Sequence, residues 1–434
     1  MRITPFVAAT LLAALLVLPT LSDEAKAPKQ EDGFVPMFNG KDLTGWVNVN
    51  GAPGTFYVKD NQIITTGRPT GYLRTEKQYE NFIAEFDWMH IPNKPGDVGN
   101  SGFFVWCDPI PAVGSGYTRG IEVQVLVNLE WKDKKSGEST ATSHGDLFSI
   151  WGARCTPDRP HPLGWERCIP SESRAKGEGE WNHYRVEAND GVIKLAVNGK
   201  SVSGVSKCSP RKGYLALESE GSECRFKNLK IKEFPSTKPR PEEICDIAQG
   251  HKAMYDGLGI VGWRADPVSV APHWIPRDTV LHYDGKGEAK DNSLTFAKEY
   301  GDAEFIVDFR FPAGKTPKEP LCRFVLRGDK DGFVDVAVTP ADLGQTKGPV
   351  VTTRVIRPQA DAGDSSVASF KELKPAGQWN RLKATLQGKT LTVTINGKEV
   401  ARAFPRIEGV NSGTFAMESV GPMDFANLFV RELK

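Results

Sequence analysis

Phe82-Ile-Ala-Glu-Phe-Asp-Trp88 spaces Phe82, Ala84, Phe86 and Trp88 two residues apart. A period of two sends successive side chains to opposite faces, so the stretch reads as a strand with one buried face. Ile193, Leu195 and Val197 alternate in the same way, and Asn198-Gly199 follows directly. Both turn residues tolerate positive φ, which a tight hairpin requires. Asn396-Gly397 offers a second such turn. Helical periodicity is nearly absent, and 43 glycines with 30 prolines supply turns between many short strands. The expected fold is all-β, with antiparallel strands in two-sheet sandwiches of jelly-roll type.

Working outward, Phe38-Asn-Gly-Lys-Asp-Leu-Thr-Gly-Trp46 recurs as Tyr255-Asp-Gly-Leu-Gly-Ile-Val-Gly-Trp263. Trp181-Asn182 recurs as Trp379-Asn380, and Leu217-Glu-Ser219 as Met417-Glu-Ser419. Two copies of one module are therefore expected, as 434 residues also suggest for a chain too long for one core. The Pro-rich stretch Phe234-Pro-Ser-Thr-Lys-Pro-Arg-Pro241 separates them. The expected domains are 34–234 and 251–434, joined by a linker over 235–250.

Ahead of them, Arg2, the apolar run Phe6 to Leu18 and the small residues of Thr20-Leu-Ser22 read as a signal peptide over 1–22. An uncleaved anchor has a similar look, and no later stretch suits a membrane span. Residues 23–33 are expected to be a disordered lead-in, and the protein to be exported to the periplasm or beyond. A net charge of +1 gives no footprint for nucleic acid. Among seven cysteines, Cys155 with Cys168 and Cys208 with Cys224 are candidate disulfides, with free buried thiols the alternative.

The copies differ where chemistry is expected. Between the central strands and Trp379 the second copy is shorter by about twenty residues. In the first copy, Ile121, Val123, Val125 and Val127 share one face, which leaves Glu122 and Gln124 on the other. Aligned on Gly120 and Gly332, the second copy puts Val334 and Val336 there; a slip of one residue puts Asp335 at the Glu122 position instead. The expectation is a scaffold retained and a site lost. Asn100, Trp106 and the loop after residue 140 are expected to converge with Glu122 and Gln124 on a concave sheet face. Trp46, Trp88 and Trp181 are assigned to packing, because Trp263, Phe309 and Trp379 recur in their places.

Phe38 to Trp46, Asn100-Ser-Gly-Phe-Phe104, Gly120-Ile-Glu-Val-Gln124, Gly179-Glu-Trp-Asn182, Asn198-Gly199 and Phe226-Lys-Asn-Leu-Lys-Ile231 together resemble the 3-keto-disaccharide hydrolase family, also described as 3-keto-glucoside 1,2-lyase and 3-keto-2-hydroxy-glucal hydratase domains. The resemblance covers 34–234, and more faintly 251–434. It implies two concanavalin A-like jelly-roll sandwiches in tandem and an enzyme cleaving 3-keto-glycosides. A ketone at C3 acidifies the C2 proton, so a base can eliminate the glycosidic oxygen from C1, and hydration of the product gives net hydrolysis. The site is expected to use Glu122 as base and His144 as general acid or base. Asn100, Gln124, Asp146, Trp151, Arg154, Trp165, Arg167 and Arg174 are candidates for binding sugar. Glu122, His144 and Asp146 serve equally as a ligand set for a divalent metal ion, which would polarise the ketone. The rival reading is a non-catalytic exported carbohydrate-binding module, a use the same sandwich supports.

Overall fold

The computed structural model describes residues 33–95, 99–127, 145–266, 268–287, 293–313, 321–329, 332–339, 349–356, 365–369, 371–403 and 411–434. The leader 1–22, the lead-in apart from Gly33, and His144 lie outside the described residues. The fold is all-β: four antiparallel sheets make two concanavalin A-like jelly-roll sandwiches in tandem. Among the described residues, sheets of nine and seven strands build the first sandwich, and sheets of eight and seven build the second. No helix among them is long and apolar enough to cross a membrane.

The alternating stretches do what their period dictates. Phe82, Ala84, Phe86 and Trp88 are buried on the Phe82–Ile91 strand, in one core with Phe103, Tyr184, Leu195 and Phe226. The Val192–Val197 strand turns back at Asn198 (φ 46°) and Gly199 (φ 85°) into Lys200–Ser209. Asn198 also clamps its surroundings: its Oδ1 accepts from His183 N at 2.8 Å and its Nδ2 donates to Arg174 O at 2.8 Å. Asn396 repeats this with Arg381 N at 3.0 Å and Glu372 O at 2.6 Å. Trp46 Nε1 donates to Met37 O at 2.9 Å and Trp263 Nε1 to Met254 O at 2.6 Å, so the paired tryptophans tie equivalent ends.

All seven cysteines are free and buried. Cys208 and Cys224 lie in one sheet, but the Val192–Val197, Asn182–Asn189 and Phe82–Ile91 strands run between theirs. At about 4.8 Å per strand that gap is far beyond a disulfide's reach. Cys155 Sγ approaches Glu166 O at 3.7 Å, while Cys168 Sγ approaches Ile169 O at 3.5 Å.

The Pro-rich connector is strapped to the first sandwich. Ser236 Oγ and Thr237 N donate to Glu80, each at 2.7 Å, and Cys245 N donates to Lys212 O at 2.8 Å. Beyond it, Ile306 and Phe429 of the second sandwich pack on Val49, Tyr72, Phe104 and Ala216 of the first, in a shared apolar cluster.

Candidate functional site

In the seven-stranded sheet of the first sandwich, Gly99–Cys107 lies between Gly120–Val127 and Tyr214–Ser219. Ile121, Val123, Val125 and Val127 join the core, which leaves Glu122 and Gln124 on the outer face with Glu218 of the Tyr214–Ser219 strand. That face floors a cavity of about 870 Å³, lined among others by Asn100, Tyr117, Glu122, Gln124, Glu218 and Glu220. Gly102 makes the floor passable. A Cβ there would stand 2.9 Å from both Glu122 Oε1 and Glu218 Oε2, so only glycine leaves the two carboxyl groups free to flank one carbon-sized gap.

Glu220 gathers donors: Tyr117 Oη at 2.7 Å and Asn100 Nδ2 at 2.5 Å. Asn100 Oδ1 accepts in turn from Gln124 Nε2 at 2.6 Å, and Gln124 Oε1 accepts from Arg167 Nη2 at 3.2 Å. Arg167 lies over the Phe148 ring, 4.1 Å from its centroid, and its Nε donates to the buried Asp146 at 2.5 Å. Thus one chain of hydrogen bonds runs from Asp146 beneath the face to Tyr117 above it.

The three glutamates hold protons unusually firmly. Burial pushes Glu122 well above the usual carboxylate range; the Glu220 charge adds to this and Arg167 opposes it. Burial and then the charges of Glu220 and Glu122 raise Glu218, which is 1% exposed with its Oε2 unpartnered. Burial raises Glu220 too, against the hydrogen bonds from Tyr117 and Glu218. Carboxyl groups packed this closely cannot all ionise, so proton acceptor and proton donor coexist on one wall.

The 3-keto-alpha-glucoside-1,2-lyase-like domain model matches residues 33–232 and again 250–431, most of the chain and both sandwiches. The chain belongs to this family. A 3-keto-disaccharide hydrolase of Bacteroides thetaiotaomicron is 21% identical over 258 residues, which span 48% of this chain and 81% of that one. A crystal structure of a candidate glycosyl hydrolase from Parabacteroides distasonis is 25% identical, covers 47% of this chain and 94% of its own, and superposes with a TM-score of 0.36. The carbohydrate-binding module CBM66 of Bacillus subtilis is 16% identical, covering 38% and 93%, with a TM-score of 0.29.

Of the expected site residues of this lyase-like domain, Asn100, Glu122, Gln124, Trp151 and Arg167 line the cavity. Glu122 and Gln124 are buried. Trp151 stands at the rim, 52% exposed. Asp146 is fully buried and does not line the cavity; it anchors Arg167. Among the described residues no three His, Cys, Asp or Glu side chains converge as a metal ion requires. Arg154 is outside the cavity, paired with Glu166 at 2.6 Å. Trp165 stacks on His161 with ring centroids 4.4 Å apart, and Arg174 clamps the 197–198 hairpin through Val197 O at 3.1 Å. These three are local supports. Trp106 is buried in the core, where its Nε1 donates to Glu80 O at 2.9 Å.

Glu218, Glu220 and Tyr117 escaped the sequence reading. Glu218-Ser219 stands in the sequence as a repeated landmark, yet Glu218 and Glu220 are two apart, the same spacing as Glu122 and Gln124. Tyr117 carries no such signature, because a loop brings it in.

The second sandwich keeps more of this wall than expected. Glu122 faces Phe104 across the ladder, and Asp335 faces Val325 in the same way; Ala216 and Ala416 pair with those two partners. Val334 and Val336 point into the core, so the one-residue slip is the true register. Gly102 is then replaced by Arg323, which pairs with Glu418 at 2.8 Å and Asp335 at 3.3 Å. A guanidinium fills the gap that glycine leaves open in the first sandwich, and Val420 stands where Glu220 would be.

Proposed function

We propose that the first sandwich cleaves 3-keto-glycosides by elimination and hydration. The observation that carries this reading is the set Glu122, Glu218 and Glu220 on one wall of the cavity, with raised proton affinity, in a chain of this family. Glu122 takes the C2 proton that the C3 ketone acidifies. The electron pair moves toward the ketone oxygen, where Arg167 and Arg68 supply positive donors from the cavity lining. Collapse expels the glycosidic oxygen, which takes the Glu218 proton. Glu220, fixed by Tyr117 and Asn100, keeps that proton on Glu218 until it is needed. Water adding across the enone then completes a net hydrolysis, with no bond to the enzyme formed. This division of labour needs no pair of carboxylates on opposite faces of the sugar ring, unlike ordinary glycosidases.

The test is incubation of 3-keto-trehalose and a 3-keto-β-glucoside in D₂O, following deuterium at C2 and release of the leaving sugar. Glu122→Gln and Glu218→Gln should each slow release by about a thousandfold, the range of general acid–base catalysis. Release undiminished in both variants would overturn the assignment. Binding without turnover in the unaltered protein would favour a carbohydrate-binding module, for which the exposed Trp151 at the rim is a fitting platform. The proposal includes export with removal of residues 1–22, which N-terminal sequencing of the mature protein, starting at Asp23, would establish.

A further inference from the structure

Tyr117 reaches Glu220 from a loop whose ends are tied together: Asp108 N donates to Arg119 O at 3.0 Å, and Arg119 Nε to Asp108 at 2.7 Å. Between those ends the loop pairs with itself, Ala112 N donating to Tyr117 O at 2.9 Å, and Arg74 Nε donates to Pro109 O at 3.2 Å, while three further groups turn to the second sandwich. Arg381 Nη2 donates to Pro111 O at 2.9 Å, and Asn427 Nδ2 to Ala112 O at 3.0 Å. Gly114 N donates to Asp308 Oδ2 at 2.8 Å. These three side chains belong to the second sandwich and are bound to each other, Arg381 Nε and Asn427 Nδ2 each standing 2.7 Å from Asp308. Asp308 is fully buried, so its charge is committed to this one arrangement. Gly114 (φ 70°) lies flat on Trp379, and a Cβ there would fall 2.0 Å from Trp379 Cγ.

A second grip lies beside the first, where Gly116 packs against Thr70 and Thr279. Asp278, in the hairpin turn between Trp274–Arg277 and Val280–Tyr283, accepts from Thr70 N and Thr70 Oγ1, each at 2.7 Å. Thr70 closes the segment that carries the cavity residue Arg68. The segments that carry Tyr117 and Arg68 to the cavity are thus both held by the second sandwich.

We propose that the second sandwich is a positioning element of the first one's site, with Asp308, Arg381, Asn427 and Trp379 setting Tyr117 on Glu220 and Asp278 setting Arg68. This assigns the second copy a role although Arg323 fills its own carboxylate gap. It rests on the reading above only in taking the cavity as the working site. Association of the two copies by apolar contact alone would need none of these polar grips.

The experiment uses the full chain labelled with ¹³Cζ-tyrosine, the Tyr117 signal being assigned with Tyr117→Phe. Gly114→Ala pushes the loop off Trp379, and Asp278→Ala, an exposed change, frees Thr70. Gly114→Ala should move the Tyr117 resonance toward that of a solvated tyrosine. Asp278→Ala should lower kcat on 3-keto-trehalose about tenfold with less change in KM, since misplacing a group by about an ångström has effects of that order or more. If Gly114→Ala misfolds, Asn427→Ala serves the same NMR comparison. A Tyr117 resonance unmoved in a folded loop variant overturns the proposal, even if the protein turns over no 3-keto-sugar. A chain with a moved resonance but no turnover would sink the enzymatic reading and leave this one standing.

Discussion

Glu218 sits where its chemistry is useful and its charge is costly. Its folded pKa lies above the ordinary 4.5, chiefly through burial. Once pH passes 4.5 the unfolded chain releases this proton and the folded chain retains it, so stability is fully present below that pH and is lost as pH rises through the folded value. Glu122 acts in the same direction. Glu218→Gln removes the ionisation, so its denaturant midpoint should exceed that of the unaltered protein by more at pH 8 than at pH 5. An equal difference at both pH values would show that Glu218 is not held protonated. How legible such residues were depended on their setting. Glu122 and Gln124 could be read because they alternate with core valines, and Glu218 and Glu220 could have been read by the same rule. Arg154, Trp165 and Arg174 do not line the cavity; residue type alone says nothing about which way a side chain points. His144 lies outside the described residues.

At the scale of elements, the hairpins were plain in the sequence, since Asn198-Gly199 and Asn396-Gly397 meet a backbone requirement that few dipeptides satisfy. The pairing of strands across the sheet was not, because hydrogen-bonded ladders between distant segments leave no mark in either segment. Gly102 shows the consequence. It is one glycine among 43, and its meaning comes only from Glu122 and Glu218 on the strands either side. The second sandwich predicts what filling that gap does. Gly102→Arg should place a guanidinium between the two carboxyl groups, as Arg323 does. The sheet should survive, because the Cβ meets the ends of flexible side chains. Sugar binding, measured by isothermal titration, should fall below detection; retention of full affinity would show that the gap is not the seat of the ligand.

Across the whole molecule, the two sandwiches share a family and differ in what they do with one set of positions. Arg323 pairs with Glu418 at 2.8 Å and with the fully buried Asp335 at 3.3 Å. Arg323→Ala takes this cation from Glu418 and Asp335 and should cost about 1–2 kcal/mol in chemical denaturation, the usual range of a destabilising substitution. A loss within about 0.5 kcal/mol, as for an ordinary surface change, would mean that the guanidinium contributes no more than an exposed side chain. The sequence by itself determined the all-β class, the two modules, the hairpins and the inward face of the Gly120–Val127 strand. Each of these follows from period and turn chemistry within a few neighbouring residues. Only the tertiary structure decided that Glu218 and Glu220 join Glu122, that Arg323 occupies the place of Gly102, and that the second sandwich grips the loop bearing Tyr117. Those facts depend on strand order and on contacts between residues up to hundreds of positions apart, and local patterning carries no record of either.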